Sequence, residues 1–274
     1  MQPAYAPRAE GRVHVFDTRA LAWQPTSEAG IELKPVRYDN QRGLFLGLVH
    51  FAPLTRSGVH QHRGVATSFV ASGGLTDYNG PIRLHEVGIN PCGATHDATS
   101  YEDTVLVSRL EGPVIYPPER TDLTGLHAGS RHEAFDNPAP DVPPEINVVV
   151  DAVQCQATGV QGIARQLVYD YAGSGSDHRL VQLAMAPGAR CPAWRAAAVT
   201  EFWIRGGIVE INGQVAHGNC FVIIEPGAEV HMASRFGALL LAWAEGPEVW
   251  LDADAATGPR AVRSSLYGFP VLPG

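Results

Sequence analysis

The chain of 274 residues has no apolar run near the ~20 residues a membrane helix needs. Its most apolar stretches, FVIIEPG and GALLLAWAEG, have the length of strands. The opening MQPAYAPRAEGRVHVF has no apolar core of signal-peptide length, so the expectation is a cytoplasmic protein without a membrane partner. Basic residues are outnumbered, 20 Lys and Arg against 28 Asp and Glu, for a formal net charge of −8. Without a basic cluster to engage phosphates, nucleic acid and anionic membrane surfaces are excluded as expected partners. The four cysteines, Cys92, Cys155, Cys191 and Cys220, are far apart and form no CxxC, which argues against a disulfide frame or a zinc knuckle. GxSxG, the P-loop and a GxGxxG at a strand–helix junction are all missing, which removes serine hydrolase, nucleotide-phosphate and dinucleotide chemistry from consideration.

Glycine (29) and proline (21) are plentiful, and they punctuate short apolar runs that carry no sustained helical period. Runs such as RVHVFD, GLFLGLVHFAP, ATSFVASG, TVLVSRLEG, INVVVDAV, TEFWIRGGIVEING and ALLLAWAEG predict an all-β chain of sandwich or barrel type. The Pro-rich polar stretch FDNPAPDVPPE reads as an interdomain linker around residues 136 to 145, dividing the chain into residues 1–137 and 138–274. The two parts resemble each other. GLVHFAPLTRSGVHQH matches VQLAMAPGARCPAWRA, TSFVASGG matches TEFWIRGG, INPCGATH matches IIEPGAEVH, and TVLVSRLEGPVIY matches ALLLAWAEGPEVW. Four matches in one order indicate an internal duplication with a period near 133, too long for a solenoid repeat.

The stretch GVHQHRGVATS holds His60 and His62 one residue apart. On a strand, residues i and i+2 share a face, so both imidazoles can point into a barrel. By itself HxH also describes two hydrogen-bonded histidines beside a turn. PCGATH adds Pro91, Gly93 and His96, a turn followed by a strand that can aim a third imidazole at the first two. Three nitrogen ligands would fill one side of an ion such as iron, zinc, copper or nickel and leave positions open.

With these residues the chain resembles a cupin. His60, His62, Thr67 and Gly74 fall on the first motif of that superfamily, and Pro91, Gly93 and His96 on the second, with Thr67 at the glutamate ligand position and Ser100 at the final asparagine. The likeness covers both halves and implies a bicupin, two tandem double-stranded β-helix (jelly-roll) domains. AWQPTSEAGIELKPVRYD, LGLVHFAP and EDTVLVSRLEGPVIY resemble a subgroup that holds the aromatic-ketone and β-diketone dioxygenases and the cupin domain of zinc-binding anti-sigma factors.

The resemblance implies an Fe2+-dependent dioxygenase that binds O2 and a small chelating ketone, diketone or aromatic substrate and cleaves a C–C bond. Zn2+, Ni2+ and Mn2+ are the alternative metals. Three neutral histidines leave a divalent site at +2, and a chelating enolate can supply the charge of the missing acid. Two readings from other classes stay open, a non-catalytic zinc or ligand-binding cupin and a redox-neutral lyase or isomerase. A homodimer is expected.

Around the ligands, Thr67 is a candidate hydrogen-bond donor to substrate oxygen, or a β-branched filler. Arg109 is a candidate partner for an anionic substrate, or an outer-face arginine. His50, Phe69 and Glu102 are expected to line the pocket, and Glu86 or Glu102 could join as a fourth ligand. His14, His85, His127, His132, His178 and His217 form no pattern and are read as surface or hydrogen-bonded. In the second half Ala193 and Arg195 stand at the HxH positions, and this half is expected to be metal-free.

Overall fold

The computed structural model describes residues 1–5, 12–117, 135–136, 138–139, 141–143, 145–171, 178–251 and 266. Among them helix is confined to two short 3-10 turns, Thr18–Ala20 and Val150–Ala152, and none is long and apolar enough to cross a membrane. Everything else regular is β-strand, as a chain of short apolar runs cut by Gly and Pro dictates.

Two compact units form. One comprises Met1–Ala6 and Leu21–Val149, the other Pro7–Ala20 and Val150–Gly274. The division therefore lies beyond the expected 137/138 boundary, and the reading of residues 136 to 145 as a linker is corrected. The strand Ile146–Val149 pairs with Glu86–Asn90 inside the first unit, and Glu145 and Phe135 are buried there. The described part of this segment packs, with Ala139 and Val142 standing beside Gly93. Residues Val13–Asp17 go the other way and pair with Cys220–Ile224 in the second unit.

In the first unit a seven-stranded antiparallel sheet runs in the order Ile146–Val149, Glu86–Asn90, Ala66–Ser72, Thr104–Leu110, Leu44–Phe51, Ile31–Asp39, Gln24–Pro25. Opposite it lie a three-stranded sheet (Thr95–His96, His60–His62, Val114–Ile115) and a four-stranded one built on Leu75–Asp77 and Thr99–Ser100. A cavity opens between them. Strand parity assigns its walls: Phe45, Val49 and Phe51 face in from one strand, Ala66, Ser68 and Val70 from the next, Leu106 and Ser108 from a third. Ile31, Phe51, Val70, Leu75, Ile82, Ala98 and Leu106 close into an apolar cluster at the four-stranded sheet.

The second unit repeats this plan with an apolar interior. Trp194, Phe202, Ile204, Ile211, Val222, Ile224, Val230 and Leu240 are buried in one cluster. Backbone hydrogen bonds place the two copies in register. His62 N donates to Ala94 O, and Ala196 N to Ala228 O. Gly93 N donates to His62 O, and Gly227 N to Ala196 O. The β-bulge between Val105 and Leu106 recurs where Leu239 and Leu240 meet Gly206 and Ile204. These pairs set the copies 134 positions apart, one more than the match of TSFVASGG to TEFWIRGG gives. Ala66, rather than Thr67, is therefore the counterpart of Thr200.

Candidate metal centre

His60 and His62 occupy the short strand His60–His62, with Gln61 between them, and His96 pairs directly across from His60 on Thr95–His96. The turn that delivers His96 needs Gly93, whose φ of 92° is a left-handed conformation that L side chains rarely adopt. All three imidazoles are about nineteen-twentieths buried. His96 Nε2 lies 2.9 Å from His60 Nε2 and 3.0 Å from His62 Nε2, and the ring centroids are 4.5 to 5.1 Å apart.

The other ring nitrogens fix the tautomers. His60 Nδ1 donates to the carbonyl of Gly58 at 2.8 Å, so its Nε2 carries the lone pair. His96 Nδ1 faces two carboxylates, Glu145 Oε2 at 3.2 Å and Asp77 Oδ2 at 3.4 Å, which leaves its Nε2 toward the other histidines. His62 Nδ1 has no partner among the described residues.

Burial holds the His60 imidazole neutral and takes its pKa down to about 3, with His96 adding repulsion and the Gly58 carbonyl opposing. Burial, with repulsion from His60 and His96, pushes His62 well below its usual range. Burial also works against protonated His96, but hydrogen bonds and charge from Asp77 and Glu145 outweigh it and raise the pKa to about 9. Burial pushes the Glu145 carboxyl up, against the pull of His96.

These residues fit a divalent ion. One proton on His96 Nε2 serves one neighbouring lone pair well, and two neighbours converge on it. A cation satisfies all three. A spacing of about 3.0 Å is also that of adjacent nitrogens about 2.1 Å from an ion in an octahedral site. The carboxylates behind His96 form the carboxylate–histidine arrangement that orients a ligand and raises its basicity. Asp77, His96 Nδ1 and Glu145 also lie close enough to one another to hold an ion, and His96 belongs to both groups.

Neither acid was anticipated. Asp77 looks like a turn residue in LTDYNG, and it does accept from Asn79 N at 2.8 Å. Glu145 closes the Pro-rich stretch, and its one visible signal is its place just before the apolar run INVVV. Gly88 opposite it is needed for room, since a Cβ there would overlap the Glu145 carboxylate.

The structure corrects the remaining expectations. Thr67 and Phe69 alternate with the cavity-facing Ala66, Ser68 and Val70, so both point to the other side of the sheet. There Thr67 Oγ1 sits 3.5 Å from Arg109 O, and Phe69 stacks on His85. Arg109 shares that face, between the inward Ser108 and Leu110, and pairs with Glu111. The side chain aimed into the cavity after the HxH is that of Ala66, which offers no ligand atom.

His50 likewise alternates with Val49 and Phe51 and points away. It meets Asp103 at 2.8 Å and Glu32 at 3.4 Å and lies against Trp23. Glu86 accepts from Arg83 N at 2.9 Å, and Glu102 is exposed, so neither reaches the histidines. Of the unpatterned histidines, His14 contacts Glu225 and His217 contacts Arg19, while His127 and His132 lie outside the described residues. In the second unit the register puts Trp194, Ala196 and Val230 where the ligands stand in the first, in place of Ala193 and Arg195. His231 falls one residue later, on the exposed face against Glu229.

The fold is that of a bicupin, a duplicated jelly-roll barrel with a three-histidine centre in its first copy. Within it, residues 12–115 match the family model described as the ChrR cupin-like domain. A dioxygenase candidate from Nostoc punctiforme is similar in structure, with a TM-score of 0.69 at 12% identity over 88% of this chain and 85% of that one. Salicylate 1,2-dioxygenase from Pseudoaminobacter salicylatoxidans gives a TM-score of 0.60 at 13% identity over 87% and 82%. Oxalate decarboxylase from Bacillus subtilis gives 0.59 at 10% over 93% and 83%. At such identities the likeness is one of fold. No curated protein sequence matches the chain.

Proposed function

We propose that the first unit is an Fe2+-dependent dioxygenase centre that takes O2 and a small chelating ketone, diketone or aromatic substrate and cleaves a C–C bond. One observation carries the reading: three buried imidazole nitrogens converge, and the neighbouring cavity-facing position is Ala66. His60, His62 and His96 would hold the ion through Nε2. The iron, when bound, would supply Lewis acidity and one-electron reactivity toward O2. A chelating enolate would add the negative charge that no carboxylate among the described residues brings to the Nε2 side.

The chain's own residues do the rest. Gly58 O holds the proton on His60 Nδ1, and Asp77 and Glu145 hold it on His96 Nδ1, which keeps both Nε2 lone pairs aimed at one point. Phe45, Val49, Phe51, Val70 and Leu106 exclude water and hold the substrate body against the histidines. The test is metal analysis of anaerobically purified protein followed by an oxygen electrode. Stoichiometric iron with O2 uptake on adding a β-diketone or hydroxyaryl ketone is expected. Full iron occupancy with no uptake for any such compound contradicts the reading.

The match to the ChrR cupin-like domain favours a second reading, a zinc- or ligand-binding cupin that acts by protein contact. His60→Ala separates the two: loss of metal and turnover supports the enzyme, and loss of partner binding supports the sensor. Zn2+, Ni2+ or Mn2+ in a redox-neutral reaction would show as turnover without O2. The proposed active form is a homodimer, checked by light scattering.

A further inference from the structure

The cavity beside the three histidines holds about 430 Å3, the range of a single-ring ligand. Its long walls are apolar, with Phe45, Phe51, Val70, Leu75, Ile82 and Leu106 facing in. Apart from the histidines, the charged side chains among the described lining residues are Glu28 and Glu145, both acidic. The nearby guanidinium groups are turned elsewhere, Arg109 to Glu111 across the sheet and Arg56 to Asp97. Neutral polar groups also line the cavity, among them Ser68 and Ser108, whose Oγ atoms lie 2.9 Å apart; one donates to the other, which leaves one O–H to donate to a ligand oxygen.

We infer that this site selects a chelator whose body, away from the metal, is apolar and uncharged, and rejects ligands that carry a carboxylate there. The inference rests on the proposed metal-chelating function and names its substrate class. A chelating diketone spends its one negative charge at the ion and presents a ring or alkyl body to the apolar walls. A phenol or carbonyl oxygen on that body meets Ser68 and Ser108. A carboxylate on those walls would be buried with no Lys or Arg among the described lining residues and with two acids in the lining, and such burial is costly. The salicylate and oxalate enzymes that share the fold are named for acids. The present walls distinguish this chain from a site built for a second carboxylate.

The test is isothermal titration of the full chain with 1-phenylbutane-1,3-dione and with its ring para-carboxylate, once with Zn2+ loaded as a redox-silent ion and once metal-free. The diketone is expected to bind the zinc form about 100-fold tighter than the carboxylate. The same order, weaker, is expected without metal. Equal or tighter binding of the carboxylate overturns the inference, and so does failure of both probes to bind at millimolar concentration. The oxygen electrode is independent of this result. Diketone preference without O2 uptake by the iron form would sink the oxygenase reading and leave the wall selectivity standing.

Discussion

Glu145→Gln isolates the part played by a residue that belongs to neither histidine motif. The substitution keeps the size of the side chain, so the space opposite Gly88 stays filled, and it removes the charge that faces His96 Nδ1 at 3.2 Å. A hydrogen bond to a charged group is worth about 1.5–3 kcal/mol, and loss of a carboxylate behind a ligand histidine costs about 10–100-fold in metal affinity. Asp77 still reaches the same nitrogen at 3.4 Å, so the tautomer survives and the low end applies. About 10-fold weaker binding, or ~1.4 kcal/mol, is expected. With Asp77→Asn added, no anion fixes the ring, and the loss should exceed the sum of the single variants. The assay is a chelator competition with Zn2+, with circular dichroism to confirm the fold. Unchanged affinity in both the single and the double variant would refute the orienting role.

Ala66→Glu should bring a carboxylate to the centre and tighten metal binding by about 10-fold, whereas Thr67→Glu should crowd a second buried carboxylate beside the Arg109–Glu111 pair on the opposite face and leave metal affinity unchanged; titration of the two variants decides between the faces. Without metal, stability should peak near pH 6.5 and fall on both sides. His60 stays neutral in the fold down to about 3 while the unfolded chain takes the proton near 6.5, so stability is lost as pH drops through that window. His96 keeps its proton to about 9, so its contribution, complete below 6.5, is lost as pH rises from there to 9. Urea melts of metal-free protein across pH 4 to 9 check both limbs, and a flat profile would contradict them. Trp194→Ala should cost the second unit about 3–5 kcal/mol and leave metal content unchanged, read by denaturant melts and metal analysis.

The three histidines were legible because their signals are local. HxH on a strand shares a face by geometry, and a Pro/Gly turn carries its own backbone requirement at Gly93. Parity was not legible where it mattered. In SFVAS and LFLGLVHF both faces of the strand are buried, so no alternation of apolar and polar residues marks the inward one. Thr67, Phe69, Arg109 and His50 were lost to that symmetry. Asp77 and Glu145 arrive from a hairpin and a Pro-rich segment, and only long-range pairing brings them to His96. The duplication was visible, but its period came out one short because TSFVASGG was laid on TEFWIRGG with Thr67 on Thr200, whereas GLVHFAP against VQLAMAP and TVLVSRLEG against ALLLAWAEG run 134 apart.

The most direct test of the centre is the metal content of wild-type protein beside His60→Ala, His62→Ala and His96→Ala, each checked for fold, with X-ray absorption on the loaded wild type. One ion per chain with three imidazole nitrogens, lost in every variant, is the expected result. Full metal retention in the His96→Ala protein, or a spectrum without imidazole, would contradict the convergence of the three side chains.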